Sequence, residues 1–246
     1  MADSTAPEHT HAHHHHHHDG GRAEANRQHF DSQAHAQGYD ANPMSQILAK
    51  KGGAAILKAF PFDEEKTVVL DYACGTGLLS QTLAPHTRTL IGVDISSKSV
   101  DYYNERVANQ GIPADEMRAI CAELKERGTT DPDPLDGIEF DVVVCTNAYH
   151  HFDDINTVTK ILASYLKPGS GTLLVIDLIR SPVSESLHKD HGHVVAHKGG
   201  FAEEDIRNAF IQAGGLENFS FEVAFEMSNN SKSVDLFIAK GVRRSA

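Results

Sequence analysis

Tryptophan is absent from the 246 residues, cysteine occurs three times, and nowhere do about 18 apolar residues follow one another. The last lack leaves no membrane span to read, and no charged-then-apolar leader marks a signal peptide. Positive charge is also short, since 22 basic against 34 acidic side chains give a formal net charge of −12. Phosphate binding needs a basic face, and the adjacent basic pairs here are Lys50-Lys51 and Arg243-Arg244. No nucleic-acid partner is expected. Cys74, Cys121 and Cys145 are too few and too scattered for a disulfide framework or a zinc ribbon. An odd number of free thiols suits a reducing compartment and points to the cytoplasm, with the nucleus as the alternative.

What is present is glycine, 19 residues of it, in a chain that is 40% hydrophobic and 23% charged. That profile fits an α/β enzyme, and the length buries one full core, so a single domain is expected. Histidine must be discounted before it is read. Eight of the 17 lie within residues 1–18, six of them as the run His13 to His18. Residues 1–21 read as a disordered affinity tag or low-complexity tail, outside the fold; a native metal store is the sharper alternative. Residues 22–60 read as a helical cap, polar at first and helix-like from Ser45 to Phe60.

From there strand and helix patterns alternate. Strands are expected over 67–71, 89–94, 117–121, 140–145 and 172–178, and helices over 78–83, 96–110 and 153–166, with Ser96 or Ser97 as an N-cap. Repeated strand–helix–strand units imply crossover connections and a parallel sheet covered on both faces. A helix near 203–213 precedes two alternating runs, 219–227 and 233–240, about Ser228-Asn-Asn-Ser231; these read as an antiparallel hairpin. The expected fold is a Rossmann-like, doubly wound, mostly parallel seven-stranded sheet with a C-terminal antiparallel hairpin. Residues 180–200 read as a long insertion on the substrate side.

In such a sheet ligands sit outside the carboxyl ends of the strands. The turn Asp71-Tyr-Ala-Cys-Gly-Thr-Gly77 falls there, with small residues that admit a ligand to the backbone. Asp94 ends the next strand 23 residues later, the spacing at which an acid takes both ribose hydroxyls. Together these make a nucleoside site. Ser80 stands where a dinucleotide fingerprint wants its third glycine, Asp71 would repel a pyrophosphate, and Tyr102, Tyr149 and Tyr165 all lack a lysine four residues on. A dehydrogenase on the same sheet is therefore the lesser reading, and an amino-acid-bearing nucleoside the better one.

Val69-Leu-Asp-Tyr-Ala-Cys-Gly-Thr-Gly77, Val93-Asp-Ile95, Phe140-Asp-Val-Val-Val-Cys-Thr-Asn-Ala-Tyr-His-His151 and Leu166-Lys-Pro-Gly169 resemble the successive motifs of class I S-adenosylmethionine-dependent methyltransferases. The nearest likeness is to the branch containing the ubiquinone and menaquinone C-methyltransferases, over about residues 28–240. The resemblance implies S-adenosylmethionine as cofactor and S-adenosylhomocysteine as product. It places the methionine end on Asp71 and the backbone of Ala73, Gly75 and Gly77, the ribose on Asp94, and the adenine against Ile95 and Ala122. Relatives carry an acid where this chain has Cys121. Tyr39, with Phe30, resembles the segment that closes over the cofactor. Cys145, with Cys74 and Cys121, is expected beside the pocket. Methyl transfer needs alignment more than acid catalysis, but removal of an acceptor proton suits histidine. His150 and His151 after the fourth strand are the candidates, with His188, His191, His193 and His197 in the insertion. No metal site is expected. The implied acceptor is a small, apolar or aromatic molecule. The alternatives are a protein acceptor and a non-catalytic methyltransferase-like partner in a complex.

Overall fold

Short β-branched runs build the centre of the molecule. Val68–Tyr72 (β1), Thr89–Asp94 (β2), Met117–Cys121 (β3), Val142–Thr146 (β4) and Thr172–Leu178 (β5) pair in parallel, in the order β3-β2-β1-β4-β5. Leu216–Asn229 (β6) and Lys232–Arg243 (β7) extend this to seven strands, β7 antiparallel to β5 and β6 antiparallel to β7. It is the doubly wound sheet with a terminal hairpin that the sequence predicts. The computed structural model describes residues 21–129, 132–187, 192–229 and 232–245, so the His13–His18 run, His188 and His191 lie outside the described residues.

The helices are Gly21–Phe30 (α1), Gln33–Ala41 (α2), Pro43–Ala59 (α3), Leu78–Leu83 (α4), Ser97–Asn109 (α5), Ile155–Ser164 (α6), Pro182–Leu187 (α7) and Glu203–Asn208 (α8). Strand side chains alternate between two cores. Val69, Val142, Val144, Leu174 and Ile176 pack with Ile56, Leu83 and Tyr103 from α3, α4 and α5. Leu70, Val143, Leu173 and Val175 pack with Leu162, Ile206 and Phe210 on the other face. Both faces being covered, β4 and β5 are apolar almost throughout rather than alternating. Each fully buried aliphatic chain contributes about 1.5–3 kcal/mol.

Ser96 caps α5, accepting the Ser99 amide at 3.1 Å, and Asp154 caps α6, accepting the amides of Asn156 and Thr157. The expected helix over 153–166 is therefore shorter at its start. Similarly, the expected 203–213 helix is α8 followed by a wider π turn, Ala209–Ala213. The helical cap expected over 22–60 is built of three helices, and its polar first part, residues 21–44, is helical apart from 31–32 and 42. Ser32 and Asn42 start α2 and α3 by accepting the amides of His35 and Met44, and Pro43 fills the first position of α3. Among the described residues no helix is long and apolar enough to cross a membrane.

Candidate functional site

Strand order reverses between β1 and β4, and a cavity of about 1030 Å³ opens there over the carboxyl ends of the strands. The turn leaving β1 forms its floor. Ala73, Gly75 and Gly77 all have left-handed backbone, with φ of 57°, 52° and 81°. The two glycines differ in what surrounds them. A Cβ at Gly75 would meet nothing within 4 Å, whereas one at Gly77 would stand 2.5 Å from the Tyr103 ring. Gly75 lines the cavity and Gly77 does not; Gly77 lets the first turn of α4 lie against α5. Gly77→Ala is thus expected to lower unfolding free energy by about 2–4 kcal/mol through overpacking and left-handed strain, and Gly75→Ala by about 1–2 kcal/mol through strain alone. Urea unfolding of the two variants checks this ordering.

Two acids flank that turn. Asp71 is buried in β1, 1% exposed, and accepts the Ser80 hydroxyl at 2.6 Å. Burial pushes its carboxyl up to about 7, against the lowering effect of Ser80, and the Asp94 charge adds to the rise. Asp94, at the end of β2, accepts the Gly75 amide at 2.8 Å and the Ser96 amide at 2.9 Å. Burial raises this carboxyl as well, although those amides pull it back. Both acids lie on the cavity wall, as do Ala73, Ile95, Ala122 and Tyr39. The Ala122 amide donates to the Asp94 carbonyl at 3.0 Å, so its methyl and carbonyl are what it has to offer a ring. The sequence places Cys121 and Cys145 beside the pocket, but neither lies on the cavity wall. Cys145 is wholly buried in the core within β4, and Cys121 is exposed, its thiol directed at the Ile95 carbonyl. The acid on the wall here is Glu123, two residues beyond Cys121.

α1 and α2 wall one side of the cavity, each held by an acid. Asp31 accepts the hydroxyls of Ser96 and Ser97 and the Lys98 amide at the start of α5. Asp40 accepts the Thr76 hydroxyl and pairs with Arg106. Sequence reasoning missed both anchors, and it missed Asn26 and Asn147. Arg22, Asn26 and Phe30 recur every fourth residue along one face of α1 and all line the cavity. Asn147, left-handed at φ 53°, turns the chain away from β4. An asparagine directly after an apolar strand was the available signal for it.

Rings furnish part of the cavity wall. Phe30 meets His35 and His151 edge-on at 5.0 and 5.5 Å, and Phe152 and His193 complete the lining. Arg22 is engaged by Asp153 and by the Gly192 carbonyl. The two candidate histidines separate at this point. They share one turn, Tyr149–His151, but His151 lines the cavity while His150 is buried behind it. His197 also lies off the wall, its ring 4.8 Å from Phe201.

Residues 69–169 match a family model described as a methyltransferase domain. Over 149 residues the chain is 41% identical to an uncharacterized methyltransferase of Schizosaccharomyces pombe, covering 59% of this chain and 52% of that one. It is 29% identical to a ubiquinone biosynthesis O-methyltransferase of Rhizobium etli, covering 48% of this chain and 44% of the relative. The chain thus spans about half the length of these relatives. Magnesium protoporphyrin IX methyltransferase from Synechocystis PCC 6803, solved with bound SAH, superposes at a TM-score of 0.65 with 18% identity, over 90% of this chain and 99% of that one. A SAM dependent methyltransferase from Aquifex aeolicus superposes at 0.58 with 17% identity, over 85% and 97%. At these identities the likeness is one of fold.

Proposed function

We propose that this chain, a member of the class I S-adenosylmethionine-dependent methyltransferases, moves the methyl group of S-adenosylmethionine to a small-molecule acceptor. The observation that carries the reading is the acidic pair around the glycine turn. Asp71 is a buried carboxylate whose hydrogen-bond partner is an uncharged hydroxyl, which suits the ammonium of the cofactor's methionine end. Asp94 already takes two amides, but a carboxylate has about four acceptor positions, so the ribose hydroxyls can still be received. The open space beside Gly75 admits a ligand against the turn. Ile95 and Ala122 would flank the adenine, and Glu123, which lines the cavity, would serve its exocyclic amine in place of Cys121. The residues present fit the group.

That cofactor supplies a methyl group on a positively charged sulfur. What the chain contributes is alignment, exclusion of water and a place for a proton. α1 and α2 line one side of the cavity through Arg22, Asn26, Phe30, His35 and Tyr39 and so restrict the access of water to it. His151 is placed for the proton: its Nδ1 lies 2.8 Å from the Val194 carbonyl oxygen, which only accepts, so Nδ1 carries the hydrogen. In the neutral ring Nε2 is then the basic nitrogen. His151 Nε2 would receive the hydroxyl or N–H proton that the acceptor loses in gaining the methyl group, the methyl–sulfur bond breaking as the new bond forms. A ring-lined chamber whose arginine is already paired favours an uncharged aromatic acceptor. The cytoplasm remains the compartment proposed.

Calorimetric titration with S-adenosylmethionine, S-adenosylhomocysteine and NADH tests the cofactor. Both adenosyl ligands are expected to bind, with affinity weakened by at least about tenfold in Asp94→Ala through loss of hydrogen bonds to a charged group. Binding of NADH alone would overturn the reading.

A further inference from the structure

Asp177 and His150 lie behind the cavity wall, and we propose that they act as a positioning pair for His151. The inference rests on the assignment of His151 above. Asp177 is the penultimate residue of β5 and has no exposed surface. Its Oδ1 accepts the Leu178 amide at 2.7 Å and the His150 Nδ1–H at 2.8 Å, while Oδ2 accepts the His150 main-chain amide at 3.1 Å. One carboxylate thus holds both the ring and the backbone of His150. Burial raises that carboxyl, yet the His150 charge, its hydrogen bond and the two amides together hold it below the ordinary carboxylate range.

His150 passes this constraint on by two routes. Its carbonyl accepts the amides of Ala196 (2.8 Å) and His197 (3.0 Å), which pins the segment after residue 192 against the turn. Val194 and Val195 in that segment are buried, and the Val194 carbonyl is the group that receives His151 Nδ1–H. The second route is direct, for the rings of His150 and His151 lie 4.2 Å apart at a tilt of 38°. A chain of contacts therefore runs from Asp177 through His150 to both the ring of His151 and the carbonyl that sets its tautomer. Neither member of the pair touches the cavity. They decide which nitrogen of His151 is basic and where it points.

Asp177→Asn keeps the volume and Oδ1 but sets an amide N–H₂ against the His150 main-chain N–H, so two donors face each other. His150→Gln keeps a buried polar side chain and removes the ring. Long-range proton–nitrogen correlation on the full, histidine-labelled chain reads the tautomer of each imidazole, with His151 assigned by its loss in His151→Gln. The wild type is expected to show His151 as Nδ1–H. Both variants are expected to shift it toward the Nε2–H form, with amides 194–197 exchanging about tenfold faster or more. A role in stability alone would lower melting temperature and leave the tautomer in place. His151 remaining Nδ1–H in both variants overturns the proposal, and His150→Gln decides alone if Asp177→Asn does not fold. S-adenosylhomocysteine affinity is read on the same samples and is expected to change less than about twofold. Its absence in the wild type would count against the proposed function and leave the tautomer result standing.

Discussion

Replacing Asp71 with asparagine is expected to make the ligand-free protein more stable at about pH 8 and to weaken binding of S-adenosylhomocysteine by about 100-fold or more. The two effects share one cause. In the fold this carboxyl is raised to about 7 from an ordinary value of 3.8, chiefly by burial. A group raised in the folded state contributes stability that is full below its unfolded value and is lost as pH climbs through its folded value. A rise of that size corresponds to roughly 4 kcal/mol lost between about pH 4 and pH 8. Asparagine cannot ionise, still accepts the Ser80 hydroxyl, and avoids that loss. Melting temperature should therefore rise by about 8–16 °C at pH 8, and by less than about half as much at about pH 5, where the folded acid is protonated but the unfolded one has already ionised. Binding behaves oppositely, since an ammonium is held by the carboxylate and not by the amide. Wild-type affinity should climb through pH 7 and then level, while Asp71→Asn stays weak throughout. Differential scanning calorimetry and titration calorimetry at the two pH values check both arms. A lower melting temperature for the variant at pH 8 would mean that Asp71 is a structural acid, not a reserved one.

The same contrast explains what could be read from the sequence. The strands β1, β2, β4 and β5 were legible because burial on both faces demands continuous apolar runs, and the turn after β1 because its small residues have a physical reason to be small. Asp71 and Asp94 were legible for a related reason: a charge ending an apolar strand needs an explanation. The helices of the cap before Ser45 were not legible from periodicity. α1 has no apolar stripe, and Asn26 is its buried residue, so hydrophobic periodicity had nothing to detect. Asp31 and Asp40 reach across the fold to Ser96, Ser97, Thr76 and Arg106, partners 36 to 66 residues away that no local pattern links to them. Strand ends mislead in a different way at Cys121 and Cys145. Placing a residue at the carboxyl end of a strand does not say which way its side chain leaves the sheet, and one thiol enters the core while the other faces outward. His150 and His151 show the limit most clearly. Adjacent residues in one tight turn diverge, and only the packing of β5 and the segment after residue 192 decides which of them lines the cavity.

That divergence makes His151→Ala the most consequential single change on the acceptor side. With the phenolic acceptor turned over fastest in a screen, kcat is expected to fall by about 10²–10⁴, the usual contribution of a positioned general base. Affinity for S-adenosylhomocysteine should hold to within about twofold, because Asp71, Asp94 and the glycine turn lie on other elements. Loss of alignment would also slow the reaction, so rate alone does not identify a base. The pH profile separates the two causes. Without its proton acceptor the variant depends on acceptor molecules that have already ionised, and its kcat/KM should climb about tenfold per pH unit until the acceptor itself is deprotonated. A misaligned but intact base would lower the whole profile without adding that slope. Phenols of decreasing pKa should narrow the gap between variant and wild type in proportion to the fraction already ionised. Turnover that survives His151→Ala with an unchanged profile would sink the base assignment and leave the chain as a methyltransferase that works by alignment and desolvation alone.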